Sequence, residues 1–208
     1  MPQITAIEPQ KRKNGRFNIF VDGKFAFGLD EKTLADFNLK IGQNLTQKKI
    51  EEIVAKAELG KIIDKVYNFL SFRPRSKKEI EQYLKRKNFG EAEIKMVLKK
   101  LEKTGFINDV EFAKFFAESR VKFRPKGKRL IASELAQKGV DRETVEKVLS
   151  EIETPELELA QKSISKKLDR FLKLPQLEAK NKIAQFLARR GFSWETIKTI
   201  IDSRMKLE

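Results

Sequence analysis

A short helical unit is written three times in this chain. Leu84-Lys-Arg-Lys-Asn88-Phe89-Gly90, Leu135-Ala-Gln-Lys-Gly139-Val140-Asp141 and Leu187-Ala-Arg-Arg-Gly191-Phe192-Ser193 align without gaps at offsets of 51 and 52 residues. An apolar triplet follows each: Ile94, Val97, Leu98; then Val145, Val148, Leu149; then Ile197, Ile200, Ile201. A period of about fifty residues restricts the fold to tandem copies of one small helical unit. Asn88, Gly139 and Gly191 mark the residue just beyond a helix, where a left-handed backbone favours glycine first and asparagine second.

The N-terminal stretch follows another pattern. Asn14-Gly15 and Asp22-Gly23 are two-residue turn signals, and alternating apolar residues flank them. A three-stranded meander is expected, with Ile4 to Lys11 as its first strand and Pro9 at an edge, since proline cannot donate to a ladder. Strict alternation puts Phe20, Phe25 and Phe27 on one face and Phe17, Ile19, Val21 and Ala26 on the other. Asp30 caps a short helix through Phe37, and Thr46 caps one carrying Ile50, Ile53, Val54 and Ala57. Gly60 either breaks that helix or lies within it. The expected fold is mainly α: three tandem three-helix repeats in an elongated curved array, with a small N-terminal β-meander. Its parts are 1–45 (meander and short helix), 46–60 (connecting helix), 61–108, 109–153 and 155–208 (repeats).

Each repeat carries its own boundary signals. Pro74 ends the first helix near Arg73, and Ser76 with Glu79 forms a capping box. Pro125 and Gly127 break the second repeat, Asp141 caps its last helix, Pro175 interrupts the third, and Ser193 caps the final helix. Phe112, Phe115 and Phe116 lie at core spacing, Leu168, Phe171 and Leu172 share a stripe, and Trp194 reads as a packing contact. Phe72 is the aromatic expected to be exposed.

The chain has neither cysteine nor histidine, which excludes disulfides, Cys/His zinc sites and His-based triads. It contains no phosphate-loop or dinucleotide-binding glycine motif. No catalytic residues, metal site or cofactor are expected, although an acid-only metal nuclease stays open as a rival. No apolar run approaches the roughly 20 residues of a membrane span, and Met-Pro-Gln-Ile-Thr does not begin like a signal peptide. A cytoplasmic location away from membranes follows.

The charge is uneven. Lys and Arg number 45 against 30 Asp and Glu, a net +15 that points to a polyanionic partner. Arg120, Lys122, Arg124, Lys126, Lys128 and Arg129 crowd the gap between the first two helices of the second repeat, with no acid among them. The matching gap in the first repeat holds Arg73, Arg75, Lys77 and Lys78, and the third repeat supplies Lys182, Arg189 and Arg190. Stacked repeats would align these cations into a stripe able to follow a phosphate backbone.

The run Leu70-Ser-Phe-Arg-Pro-Arg-Ser-Lys-Lys-Glu-Ile80 resembles the first-repeat signature of the RecX regulatory proteins. Gly105-Phe-Ile-Asn-Asp-Val-Glu-Phe-Ala113, Lys126-Gly-Lys-Arg-Leu-Ile-Ala-Ser-Glu-Leu-Ala-Gln-Lys-Gly139 and Ala188-Arg-Arg-Gly-Phe192 are similar to later motifs of that family, in the family's order. The meander resembles the extra segment of its longer members. The resemblance implies a non-catalytic modulator, usually an inhibitor, that lies along the groove of the RecA filament; a monomer is expected. It also implies contact with single- or double-stranded DNA and a place in recombination, repair and the SOS response. The family often has two acids where this chain has Asn108-Asp109, and Asn88 replaces a usual glycine. A general, non-sequence-specific DNA- or RNA-binding architectural protein is the alternative.

Overall fold

The structure of the protein, a computed structural model, describes residues 1–11 and 15–205. Asp22 and Gly23 have φ of 49° and 77°, the paired positive values of a type I′ turn. They join β2 (Arg16–Val21) to β3 (Lys24–Asp30), and with β1 (Ile4–Pro9) these strands form an antiparallel sheet ordered β1-β2-β3. Pro9 lies on an outer strand, as expected. The expected Asn14-Gly15 turn includes Asn14, which is outside the described residues.

The facing of the sheet differs from strict alternation. Phe20 opposes Phe25, but Phe27 opposes Ile19, because Ala26 is the extra residue of a bulge. One inserted residue exchanges the two faces beyond it. Phe27 therefore joins Ile19 in the core, while Phe25 is left 59% exposed. Ile4, Ile19, Phe27 and Leu29 pack with Leu39, Leu45, Ile53 and Ala57.

Asp30 caps α1 (Glu31–Asp36) by accepting from the Thr33 amide at 2.7 Å, and Thr46 caps α2 (Gln47–Leu70) by accepting from the Lys49 amide at 3.2 Å. α2 runs unbroken through Gly60, so the connecting helix and the first helix of the first repeat are one element. It stops at Leu70 with Ser71 as its cap, three residues short of Arg73.

The remaining helices are α3 (Lys77–Arg86), α4 (Glu91–Lys103), α5 (Asp109–Phe123), α6 (Lys128–Gln137), α7 (Arg142–Ser150), α8 (Glu156–Leu172), α9 (Gln176–Ala188) and α10 (Trp194–Met205). Two compact units result: Met1–Arg73 with Gly90–Val97, and Pro74–Phe89 with Leu98–Glu208. Within the second unit, α5, α6 and α7 enclose Phe112, Phe116, Ile131, Leu135, Val145 and Val148. α8, α9 and α10 enclose Leu159, Ile164, Phe171, Ile183, Leu187 and Ile197, and Val121 of α5 packs against that cluster too.

Three apolar positions depart from the expected core. Phe115 and Leu172 are each 40% exposed and Trp194 is 66% exposed. Phe115 and Leu172 sit at the edges of their stripes. Trp194 is the first residue of α10, and a helical side chain leans toward the N-terminus, so its ring projects past the turn that its neighbours cover. Asn88, Gly139 and Gly191 have φ of 60°, 85° and 79°, the left-handed ends read from the repeat.

Candidate functional site

In the second unit, the N-cap of one repeat's second helix rests on the left-handed end of the next repeat's second helix, and this joint is made twice. At the first, the fully buried Ser76 hydroxyl accepts from the Glu79 amide (3.2 Å), capping α3, and donates to the Lys138 carbonyl (2.7 Å). Lys138 returns an ion pair to Glu79. The Lys77 amide donates to Asp109 at 2.9 Å, while Asn108 caps α5 by accepting from the Val110 and Glu111 amides at 3.1 Å. Asn108-Asp109 thus caps two different helices. Burial pushes the Asp109 carboxyl up, against the lowering effect of the Lys77 amide.

At the second joint the Gly127 amide donates to the Arg190 carbonyl at 2.8 Å. Gly127 caps α6 with no side chain to contribute. A Cβ on Gly127 would stand 2.0 Å from the Gly191 carbonyl oxygen, and one on Gly191 would stand 2.5 Å from Leu130 Cβ. At the first joint a Cβ on Gly139 would stand 2.9 Å from Lys78 Cβ. Lys77, Lys78 and Arg190, with Arg75, Lys126 and Lys128 next to the caps in sequence, therefore border the places where repeats touch.

The candidate cations fall into two groups. Lys77, Lys78, Lys122, Arg124, Arg129, Lys182 and Arg189 are exposed. Of these, Lys77 pairs with Glu102 at 2.6 Å, which raises its pKa, and Arg189 Nε donates to the Gln185 carbonyl at 3.2 Å. Arg73, Arg75, Arg120, Lys126, Lys128 and Arg190 are half-buried. Arg73 belongs to the first unit and the others to the second.

Several of the half-buried cations serve the fold. Arg120 (2.8 Å) and Lys126 both converge on Glu134. Burial would raise Glu134, but hydrogen bonds from Lys126 and Arg120 outweigh it and hold the carboxyl below its usual range. The Arg120 guanidinium also lies 4.3 Å over the Phe116 ring, whose centroid is 5.6 Å from the Lys138 ammonium. Lys78, Gln82 and Gln137 complete the walls of a cleft of about 310 Å³ there. Lys128 Nζ donates to the Ile152 carbonyl at 3.5 Å. Arg190 donates to Ser163 Oγ at 3.1 Å and stacks 4.6 Å over Phe186.

Of these candidates, Lys122, Arg124 and Arg129 remain outward on the second repeat, and Lys122 and Arg124 flank a ring that a count of cations overlooks. Phe123 is 71% exposed and Phe72, as expected, 83%. The offset of 51 that aligns the repeats also carries Phe72 onto Phe123, a signal present in the sequence from the start. Among the described residues no group of three or more acidic side chains could hold a metal ion, and no helix is long and apolar enough to cross a membrane.

Comparison with known proteins bears on this arrangement. The RecX N-terminal domain pattern matches residues 2–46, and the first, second and third RecX three-helix domains match 63–101, 108–149 and 154–201. A regulatory protein RecX from Listeria welshimeri is 40% identical over 197 residues, spanning 94% of this chain and 73% of the relative. The chain belongs to the RecX family. A RecX from Bacillus subtilis is 37% identical over 206 residues, spanning 97% of this chain and 77% of its own. A crystal structure of a regulatory protein RecX matches with a TM-score of 0.81 at 31% identity, covering 97% of this chain and all of that one. The crystal structure of RecX from Lactobacillus salivarius matches at 0.59 and 27% identity over 72% of this chain and 97% of that one. The mainly helical reading, with three RecX three-helix domains and an N-terminal antiparallel sheet, stands.

Proposed function

We propose that this chain is a non-catalytic, cytoplasmic regulator that binds the RecA recombinase filament as a monomer and inhibits its recombination and repair activities. Its outward cations, with Arg124 of the second repeat and Lys182 and Arg189 of the third in the lead, meet DNA, acidic RecA surface or both. By occupying the filament groove the protein hinders entry of a second DNA duplex and slows filament growth. Each contact is weak, and tandem repeats act together through high effective concentration. The supporting observation is that exposed cations flank the start of the second helix of the second repeat (Arg124 and Arg129) and follow that of the third (Arg189), with Lys182 exposed midway along α9, in a RecX-family chain.

The half-buried cations define how this is tested. Reversing Lys126 would place a second acid against Glu134 and damage the fold rather than the interface. The triple variant Arg124→Glu, Lys182→Glu, Arg189→Glu changes only exposed side chains. With unchanged circular dichroism, it is expected to lose most of its inhibition of RecA strand exchange. Full inhibition by the folded variant would refute the role of these cations. Retention on immobilised RecA without DNA separates a recombinase regulator from a general nucleic-acid-binding architectural protein, which would not be retained.

A further inference from the structure

Phe72-Arg73-Pro74-Arg75-Ser76 and Phe123-Arg124-Pro125-Lys126-Gly127 occupy one place in successive repeats: aromatic, arginine, proline, cation, small residue. Each begins where a repeat's first helix ends. Phe72 follows α2 and its cap Ser71, and Phe123 is the last residue of α5. Both rings face solvent, at 83% and 71% exposure. A phenylalanine left in water forgoes the stabilisation that burial of its ring would bring. One exposed ring on a surface is ordinary. The same ring exposed at the same corner of two repeats, next to an arginine each time, is not accounted for by the packing of either unit. The proline two residues on fixes the chain's exit, which holds each ring on a stiff corner.

From this geometry we infer that Phe72 and Phe123 are stacking posts for the bases of single-stranded nucleic acid, one post on each of the two units. The inference deepens the proposed function by naming the strand form the cationic surface meets. An exposed ring offers a face to an unpaired base and none to a base inside a duplex, and this stacking tolerates any sequence. Cations beside the ring take the phosphates: Arg124 is exposed, and Lys122 Nζ lies 5.4 Å from the Phe123 centroid. Arg73, half-buried, follows Phe72 in the sequence. The third repeat has Pro175 at the position matching Phe123 and carries no post.

The test uses the full chain with a thymidine oligonucleotide containing 2-aminopurine, and a duplex of equal length. Phe72→Ala and Phe123→Ala are each expected to weaken single-strand binding at least about fivefold. They should remove the 2-aminopurine quenching and change duplex affinity less than twofold. Phe→Leu at either site should behave like alanine and Phe→Tyr like wild type, since stacking needs the ring and not merely apolar area. Unchanged single-strand binding by Phe72→Ala/Phe123→Ala overturns the inference. So does retention by leucine of what alanine loses, accompanied by loss of binding to RecA without DNA, which would make the rings a protein-docking surface. If the rings prove inert while the charge-reversed triple variant still loses inhibition, the posts fall and the regulatory reading survives. If wild type quenches the probe but is not held by RecA, the reverse holds.

Discussion

Asn88, Gly139 and Gly191 share one backbone conformation but not one environment. Gly139 and Gly191 each lie under the helix start of the preceding repeat, where a Cβ would collide, whereas Asn88 is exposed. Asparagine at 88 thus costs only the left-handed backbone, so Asn88→Gly is expected to raise stability by about 0.5 kcal/mol. The other side of the second joint gives a sharper result. Ser76 and Gly127 are matching N-caps, and serine is ordinarily the better cap. Gly127→Ser should nonetheless destabilise by about 2–3 kcal/mol, because its Cβ would enter the Gly191 carbonyl. Urea unfolding followed by circular dichroism and by fluorescence of Trp194 measures both. A serine variant as stable as wild type would mean that the joint is loose.

Glu156 at the start of α8 ties that helix to α10. Its carboxylate accepts from the Ser193 amide at 3.2 Å and from the Thr196 hydroxyl at 2.7 Å, at the end of α10 where free amides and the helix dipole favour negative charge. Burial would raise its pKa, but the hydrogen bonds from Ser193 and Thr196 outweigh it and hold the carboxyl below its usual range. A carboxyl depressed in the folded state stabilises fully above its unfolded pKa of about 4.3 and loses that contribution as pH falls through the folded value. Glu156→Gln should therefore cost about 1.5 kcal/mol at pH 7, and the gap from wild type should narrow as pH falls below the unfolded pKa of about 4.3. Urea midpoints across pH 3–7 check this, and a gap that does not narrow as pH falls from about 5 to about 3 contradicts it. Helix starts of this kind were largely readable in advance: Asp30, Thr46, Ser76, Asp141 and Ser193 all cap where local side-chain chemistry says they should. The bulge at Ala26, the passage of α2 through Gly60 and the exposure of Trp194 were not. Each depends on what lies across the fold from the residue, and a periodicity carries no information about that.

Net charge of +15 says that the protein seeks an anion, but not which cations meet it. Their clustering between Arg120 and Arg129 was legible in the sequence, and the repeat places were too. The acid that takes up two of them was not, because Glu134 lies a helix turn beyond the cluster and reaches Arg120 and Lys126 only once α5 and α6 have folded together. Salt dependence distinguishes the two populations. Each phosphate contact to a single strand releases about 0.7 counterions. If Arg124, Lys182 and Arg189 each meet a phosphate, the triple reversal should flatten the slope of log affinity against log salt by about 2. Arg120→Gln, which breaks an internal pair, should leave that slope alone while lowering the unfolding midpoint. Fluorescence anisotropy of an oligonucleotide from 50 to 300 mM salt reads both slopes. An equal change in the two variants would mean that the Glu134 network opens on binding and that its cations also reach the strand.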